Sequence, residues 1–307
     1  MSKLKAGVVG AGAFGRIHAR KYAEDARVQF VGLFDPDDER AGQLADTHGA
    51  EAFSTLDALL GAADIITIAS PPSLHAGAAL PAVKAGKHVL IEKPLATDAR
   101  DGAELVRVAA ARKLVLACGH QERLVFEAMG LFGAPEEPLY IESVREGPWT
   151  GRSADVSVTL DLTVHDLDLA LRLLGRPAAR VSANAKAEHG RAADWIEAKL
   201  DFGGAEAVFT SSRIAEERRR FMRAVYPSGE VKIDFLARTF ENSTSFSLNP
   251  AFAETRIGAD PLGANVAAFI DAVLGVGPRP VVTGEEALAV LELALEVDRA
   301  SGLPSLS

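Results

Sequence analysis

Residues 8–15 read Val8-Val9-Gly10-Ala11-Gly12-Ala13-Phe14-Gly15, and this stretch decides the fold of the first part of the chain. In a strand–turn–helix unit, the first glycine permits the tight turn and the second lets the backbone approach a pyrophosphate. The third lets the helix pack against the strand. The helix N-terminus offers N–H groups and a partial positive charge to phosphates. The spacing therefore predicts a dinucleotide-binding loop formed by Gly10, Gly12, Ala13, Phe14 and Gly15.

Asp35 follows Gly15 by 20 positions and comes directly after the apolar run Phe30–Phe34. A carboxylate at this point accepts hydrogen bonds from the ribose hydroxyls and repels a 2′-phosphate. The residue therefore favours NAD over NADP as the cofactor. The alternative is that Asp35 only caps a helix that begins near Pro36.

The first 120 residues alternate short apolar runs with helical patterns. The runs lie at residues 6–9, 28–34, 64–69, 87–91 and 114–118, with a weaker one at 50–53, and helical patterns include 15–23, 39–47 and 73–85. Strands that alternate with helices imply crossover connections and a parallel sheet covered on both faces. Residues 1–120 are therefore predicted to form an α/β Rossmann domain.

The pattern changes after residue 120, where several strand-like segments follow one another with short turns between them. Strands are predicted at 179–187, 193–202, 205–213, 219–226 and 230–236, and helices at 125–132, 162–174, 262–274 and 284–300. Residues 121–307 are therefore predicted to form an α+β domain for substrate binding and oligomerisation, built on a large, mostly antiparallel sheet. The helices can cover one face of that sheet. The other face, which carries Trp195, is predicted to join a homodimer or homotetramer.

Charge and cysteine content exclude several classes of protein. Residues 1–120 contain 14 basic and 14 acidic side chains, whereas residues 121–307 contain 19 basic and 28 acidic ones. An acidic second half argues against a nucleic-acid partner, which requires a basic surface. Cys118 is the only cysteine, so we expect neither a disulfide nor a metal site. No apolar run is long enough to cross a membrane, and a cytoplasmic location without a membrane partner is expected.

Two further motifs, Glu92-Lys93-Pro94 and Asp161-Leu-Thr-Val-His165, carry a family resemblance together with the glycine stretch. In combination they resemble the Gfo/Idh/MocA (glucose-fructose oxidoreductase, inositol dehydrogenase and rhizopine catabolism) family, over the whole chain. The resemblance implies catalytic roles for Lys93, Asp161 and His165. Lys93 would bind a substrate hydroxyl near the nicotinamide, His165 would accept its proton, and Asp161 would orient or polarise His165. It also implies a cis Lys93–Pro94 bond, and a place for Glu92 and Lys93 in the cofactor site.

The residue chemistry agrees with these roles. Oxidation of an alcohol by hydride transfer needs a proton acceptor that titrates near the working pH, and histidine is the usual choice. Asp161, His165, Asp168 and Arg172 have the spacing of one polar stripe on a helix, and the alternative is a stripe that only faces solvent. The sequence departs from the family pattern at Val158-Thr159-Leu160 and at Thr163, where family members often have small residues. Because these side chains are bulkier, the family pattern does not indicate which substrate this chain acts on.

Loops after other strands supply further candidates. Ser70, Pro71 and His75 resemble the family's loop beneath the cofactor, and Gln121 belongs to a Gly-His-x-Glu-Arg motif that would face the nicotinamide. Candidate substrate contacts are His120, Arg123, Trp149 and Arg152. Trp149 could stack on a sugar, and Arg152 could bind a carboxylate or phosphate, but ordering of their loop is an equal alternative. Arg123 could meet an anionic substrate or pair with a neighbouring glutamate.

These features together predict an NAD(P)-dependent oxidoreductase. It would transfer a hydride between the nicotinamide and a secondary alcohol of a sugar, cyclitol, polyol or sugar derivative. Two alternatives stay open from the sequence. One is a regulator that binds the dinucleotide without catalysis, and the other is an enzyme that cleaves glycosides with the help of a bound NAD.

Overall fold

The glycine stretch follows the first strand of the chain, which belongs to the first of two β-sheets, in a computed structural model that describes residues 3–306. The chain folds into two compact units. Unit 1 consists of Met1–Gly119 together with Leu262–Leu288, and unit 2 consists of His120–Pro261 together with Ala289–Ser307. Unit 1 is therefore built from two separate segments of the chain. The sequence pattern predicts one domain boundary at residue 120 and does not assign the segment Leu262–Leu288 to the first domain.

Unit 1 contains a six-stranded sheet in the order β3-β2-β1-β4-β5-β6, in which all neighbouring strands are parallel. Its strands are β1 (Leu4–Val9), β2 (Val28–Phe34), β3 (Glu51–Ala52), β4 (Ile65–Ile68), β5 (His88–Ile91) and β6 (Leu116–Cys118). Its helices before residue 120 are α1 (Ala13–Glu24), α2 (Asp38–His48), α3 (Leu56–Ala62), α4 (His75–Lys84) and α5 (Ala99–Ala111). The predicted Rossmann sheet is confirmed.

Apolar side chains on the strands of unit 1 point alternately to two hydrophobic clusters, as expected for a parallel sheet covered on both faces. Val8 belongs to one cluster and its neighbour Val9 to the other. The late segment Leu262–Leu288 contributes to both clusters. It supplies Leu262, Val266, Phe269 and Ile270 to the first, and Val282 and Ala287 to the second. Burial of these side chains explains why the segment belongs to unit 1.

Unit 2 contains a seven-stranded sheet in the order β13-β12-β11-β7-β10-β9-β8. Its strands are β7 (Tyr140–Glu146), β8 (Arg180–Lys186), β9 (Trp195–Asp201), β10 (Glu206–Ser212), β11 (Arg219–Tyr226), β12 (Gly229–Asp234) and β13 (Thr239–Asn242). The pair β7–β10 is parallel and the other pairs are antiparallel, so the predicted mostly antiparallel sheet is confirmed.

The helices of the second half of the chain are α6 (Glu122–Met129), α7 (Val164–Leu174), α8 (Arg256–Ala259), α9 (Pro261–Leu274) and α10 (Gly284–Ser301). A π-helical turn, Thr159–Thr163, runs directly into α7. Asp161 lies in the π turn and His165 in the first turn of α7. The two residues of the predicted pair therefore lie on different helix geometries, and the simple α-helical spacing of the stripe does not hold between them.

One face of the sheet in unit 2 carries many charged side chains. Trp195, Glu197 and Lys199 alternate along β9 with the buried residues Ile196, Ala198 and Leu200. Charged pairs connect residues of this face, among them Lys199 with Glu197 at 3.5 Å and Arg223 with Glu142 at 3.9 Å. The ammonium of Lys186 lies 5.4 Å from the centre of the Trp195 ring. We refer to this surface, formed by Trp195, Glu197, Lys199, Glu142 and Arg223, as the charged sheet face.

Candidate active site

The glycine loop of unit 1 has the close approaches that its spacing predicts. Gly10 has a φ of +99°, and a Cβ added at Gly15 would lie 1.8 Å from the carbonyl oxygen of Gly10. At Gly12 an added Cβ would meet no atom within 4 Å, so the chain leaves open space beside this residue. Gly12 is the N-cap of α1, and as a glycine it has no side chain to accept a hydrogen bond from the first turn of the helix. That first turn contains no acidic residue. A diphosphate fits a helix start with this open space and no competing carboxylate.

Asp35, at the end of β2, is 5% exposed and is bound by its own chain. Its Oδ2 accepts the backbone N–H of Ala11 at 2.7 Å. Its Oδ1 accepts the backbone N–H of Asp37 at 2.9 Å and a guanidinium N–H of Arg40 at 2.8 Å. Burial on its own would raise the pKa of Asp35, but these three donors lower it below its ordinary value. Asp35 is therefore a stable anion, and it ties the glycine loop to the start of α2. The helix cap itself is Asp37, which accepts the N–H of Arg40 at 3.0 Å.

His75 connects the loop after β4 with the loop after β5. It is 1% exposed; its Nδ1 lies 2.7 Å from the carbonyl oxygen of Pro94, and its Nε2 lies 3.0 Å from that of Ser70. Burial lowers the pKa of His75, which favours a neutral ring with a single N–H. Two of the predicted cofactor residues, Ser70 and His75, are therefore joined to the Glu92-Lys93-Pro94 motif. Pro71 lies between Ser70 and the 3₁₀ turn Pro72–Leu74 that precedes α4.

The Glu92-Lys93-Pro94 motif follows β5 at the carboxyl edge of the parallel sheet. The predicted cis Lys93–Pro94 bond is present. Glu92 is 7% exposed, and its Oε1 lies 2.6 Å from Nε2 of His18 on α1. Gly119 makes room for Glu92, because a Cβ there would lie 2.8 Å from Oε2. Glu92 thus serves as an anchor inside unit 1, and Lys93, which follows it, is half-buried.

His165 lies in unit 2 close to a set of charged side chains. Its Nδ1 is 3.9 Å from Oε1 of Glu122, and 19% of its side-chain surface is exposed. The ring of His120, which is 1% exposed, packs edge to face against it with 6.5 Å between ring centres. Glu122 therefore holds a negative charge near the predicted proton acceptor, and it stabilises a positive charge there.

Arg145 on β7 fixes Glu122. The arginine is 1% exposed, and its Nη1 donates to Glu122 at 2.9 Å. Its Nε donates to Asp166 at 2.7 Å, and Asp166 is itself fully buried. Burial on its own favours the neutral form of Arg145, but the two carboxylates raise the pKa of Arg145 above its ordinary value. The ring of Phe235 covers the guanidinium at 5.1 Å. We refer to Glu122, Arg145 and Asp166 as the buried charge cluster.

Sequence reasoning did not find the buried charge cluster, nor the roles of His18 and Arg40. Arg145 lies on a strand that the sequence pattern does not predict, and no motif marks Asp166 beside His165. An arginine among the apolar positions of a strand and a second aspartate in an apolar helix were the available signals.

The predicted substrate residues have varied environments. Arg123 is 5% exposed and donates through Nε and Nη2 to the carboxylate of Asp168, at 2.6 to 3.0 Å. Asp168 is therefore the partner of Arg123 in the structure, and Oδ2 of Asp168 also lies 4.0 Å from Nδ1 of His120.

Gln121 precedes α6 and is half-buried. Arg172, the last member of the predicted stripe, is exposed, with its guanidinium 5.3 Å from the centre of the Phe132 ring.

Trp149 stacks on His189 with 4.0 Å between ring centres and an angle of 5° between the planes. The guanidinium of Arg213 lies 5.0 Å from the centre of the Trp149 ring and is bound to the buried Asp194. These contacts favour the ordering of the loop over the stacking of a sugar on Trp149. Arg152, three residues later, is exposed.

Within residues 3–306 no cluster of three or more histidine, cysteine or acidic side chains has a geometry suited to a metal ion. Across the same range, none of the helices is both long and apolar enough to cross a membrane.

Comparison with known proteins shows the family to which the chain belongs. Residues 4–120 match the oxidoreductase family with an NAD-binding Rossmann fold, and residues 125–231 match the Gfo/Idh/MocA C-terminal domain. The chain belongs to the Gfo/Idh/MocA family, and the resemblance inferred from its motifs is confirmed. The prediction of a dehydrogenase that acts on CH–OH groups is confirmed with it.

Two members of known activity or structure are similar to this chain over almost its whole length. The chain is 36% identical over 310 residues to UDP-N-acetylglucosamine 3-dehydrogenase of Acidithiobacillus ferrooxidans, covering 97% of each chain. A solved structure of that enzyme aligns with a TM-score of 0.87 and 35% identity over 98% of each chain. The WlbA dehydrogenase of Bordetella pertussis, solved with NADH and UDP-GlcNAcA, aligns with a TM-score of 0.85. Its identity is 23%, over 98% of this chain and 96% of that one, and at this level the likeness concerns the fold.

Proposed function

We propose that this chain oxidises the C3 hydroxyl of UDP-N-acetylglucosamine with NAD as the hydride acceptor. The observation that carries the proposal is the 36% identity to UDP-N-acetylglucosamine 3-dehydrogenase, which extends over 97% of both chains. The glycine loop, with open space at Gly12 and a stable Asp35 anion, supports the use of a dinucleotide.

The reaction removes a hydride from C3 and a proton from the C3 hydroxyl, which leaves a ketone. The nicotinamide, when bound, supplies the hydride acceptor. We assign the proton to His165, whose positive charge would be stabilised by Glu122 at 3.9 Å from Nδ1. Lys93 would donate a hydrogen bond to the hydroxyl oxygen, and Asp161 would orient His165.

The test is the appearance of NADH when the purified protein is mixed with NAD and UDP-N-acetylglucosamine, with UDP-glucose and myo-inositol as alternative substrates. We expect turnover on the first, and mass spectrometry should find a product two hydrogens lighter. Lys93→Met and His165→Asn should each lower kcat by about 10²- to 10⁴-fold. Lys84→Met, at the exposed end of α4, serves as the matched control and should keep full activity.

Three other results would contradict the proposal. Faster turnover of myo-inositol would assign a cyclitol as the substrate. Binding of NAD without turnover on any of the compounds would favour the regulatory alternative. Release of a sugar from a glycoside without net NADH would favour the glycoside-cleaving alternative.

A further inference from the structure

Two neighbouring arginines at the start of β11 lie on opposite faces of the sheet in unit 2, as successive residues of a strand do. Arg219 is exposed and lies opposite Glu146 of β7, with its Nη2 at 2.8 Å from Oε2 of that glutamate. Arg220 is half-buried and lies opposite Arg145. The side chain of Arg220 is therefore on the face of the sheet that carries the buried charge cluster.

The described part of the chain gives Arg220 no anionic contact partner. Within residues 3–306, no oxygen atom accepts a hydrogen bond from its guanidinium, and no carboxylate forms an ion pair with it. Side chains directly opposite each other in an antiparallel pair have Cβ atoms about 4.5 to 5.5 Å apart, so the like charges of Arg220 and Arg145 repel each other. Burial and Arg145 lower the pKa of Arg220 below its ordinary value, but a guanidinium keeps its charge at neutral pH. An unfavourable charge of this kind is typical of a ligand site.

Four other charges act on Arg220, and they balance one another. Two are positive and two are negative, and they belong to Arg145, Arg218, Glu122 and Asp161. Together with Arg220 itself and with Asp166, which is bound to Arg145, the group holds three arginines and three carboxylates. A phosphate that approaches Arg220 therefore meets no excess of negative charge.

Two side chains connect Arg220 with the residue that we assign as the proton acceptor. Arg145, opposite Arg220, donates to Glu122 at 2.9 Å, and Oε1 of Glu122 lies 3.9 Å from Nδ1 of His165. In UDP-N-acetylglucosamine the diphosphate is attached at C1, and only C2 lies between C1 and the reacting C3. A substrate whose anionic group is one sugar ring away from the reacting hydroxyl suits this arrangement.

We propose that Arg220 binds the diphosphate of the sugar-nucleotide substrate and thereby selects a sugar nucleotide over a free sugar. The planar guanidinium matches phosphate oxygens with two parallel N–H···O bonds. The inference rests on the proposed function and deepens it, because it names the residue that recognises the nucleotide part of the substrate.

The test compares wild type, Arg220→Gln, Arg220→Lys and Arg219→Gln. Two quantities are measured: the KM and kcat for UDP-N-acetylglucosamine at saturating NAD, and the dissociation constant of UDP by calorimetry. Arg220→Gln should raise the KM and weaken UDP binding by at least about tenfold each, with kcat within about threefold of wild type. Arg220→Lys, which keeps the charge but loses the planar fork, should lie between the two.

Arg219→Gln is the matched control, because it removes the adjacent arginine from the opposite face of the same strand. It should leave the KM, the kcat and the affinity for UDP unchanged. The melting temperature separates binding from a structural role. Arg220→Gln removes a like-charge repulsion, so its melting temperature should equal or exceed that of wild type.

Unchanged UDP affinity in Arg220→Gln, an equal loss in Arg219→Gln, or a fall in kcat at unchanged KM would overturn the inference. So would a weaker UDP affinity accompanied by a lower melting temperature. In each of these cases, turnover of UDP-N-acetylglucosamine by the wild-type protein leaves the proposed function standing. If the wild-type protein binds UDP without oxidising the sugar nucleotide, the proposed function falls, and the UDP affinities of the variants still decide on Arg220.

Discussion

Arg145 is a charged side chain with 1% of its surface exposed, and its charge is balanced by Asp166 and Glu122. Removal of the arginine would leave the fully buried Asp166 without its cationic partner. We expect Arg145→Met to lower the free energy of unfolding by about 3 to 5 kcal/mol, measured by urea denaturation. Arg180→Met breaks an arginine–aspartate pair in which the arginine is 83% exposed, and should cost less than about 1 kcal/mol.

A second substitution separates lost charge from lost volume. Asp166→Leu in the Arg145→Met background removes the unpaired buried carboxylate, so part of the lost stability should return. If the double variant is as unstable as the single one, packing and not charge explains the effect of Arg145.

His75 predicts a dependence of stability on pH. Burial lowers its pKa in the folded chain below the ordinary value of 6.5, so between these two values the unfolded chain binds the proton more readily. Stability therefore falls as the pH decreases below about 6.5. The His75→Gln variant lacks this contribution. The difference in unfolding free energy between wild type and variant should be constant above pH 7.5 and should move against the wild type at pH 5 to 6. A difference that stays constant throughout would contradict the assignment.

At the scale of elements, Gly12 and Gly15, in the turn from β1 into α1, differ in the space around them. A Cβ at Gly15 would lie 1.8 Å from the Gly10 carbonyl, whereas one at Gly12 meets nothing within 4 Å. We expect Gly15→Ala to cost at least about 2 kcal/mol of stability. Gly12→Ala should leave the melting temperature unchanged and weaken NADH binding by at least about tenfold, because its methyl group enters the space beside the helix start. Equal effects of the two substitutions on stability would contradict this division.

Sequence patterns predicted most elements because their periodicity is local. Strand β2 coincides with the predicted run at 28–34, and β9 lies within the predicted strand at 193–202. Strand β7 was not predicted, because its sequence, Tyr140–Glu146, carries three charged residues in seven. Its central place between β10 and β11 depends on pairing with distant strands, which no local pattern records.

The positions of Gly10, Asp35 and Lys93 in the fold were predictable, because a motif marks the strand end that each of them follows. Their roles in binding and catalysis stay predictions. Contacts between distant residues were not predictable. Arg145 meets Asp166 from 21 positions away, and His18 meets Glu92 from 74 positions away. Each of these pairs forms only when the fold brings two distant segments of the chain together, so no local sequence pattern records it.

At the scale of the whole molecule, the charged sheet face is the surface on which we propose that copies of the chain associate, as a homodimer or homotetramer. Its cross-strand pairs, such as Arg223 with Glu142, present both signs of charge and can be matched by a symmetric partner. Light scattering at micromolar concentration should give two or four times the chain mass of 32.4 kDa. A monomer mass, or an oligomer unaffected by Lys199→Glu and Arg223→Glu together, would contradict the proposal.

The composition of unit 1 has a consequence for the order in which the chain can fold during synthesis. Leu262, Val266, Phe269 and Ile270 are at most 9% exposed. Burial of four such side chains is worth about 6 to 12 kcal/mol, as much as the whole stability of many domains. When only the first 120 residues have been made, unit 1 therefore lacks the segment Leu262–Leu288. Part of one apolar face of the sheet stays uncovered until Ile270 has been made, since only α1 and α2 pack on that face before then.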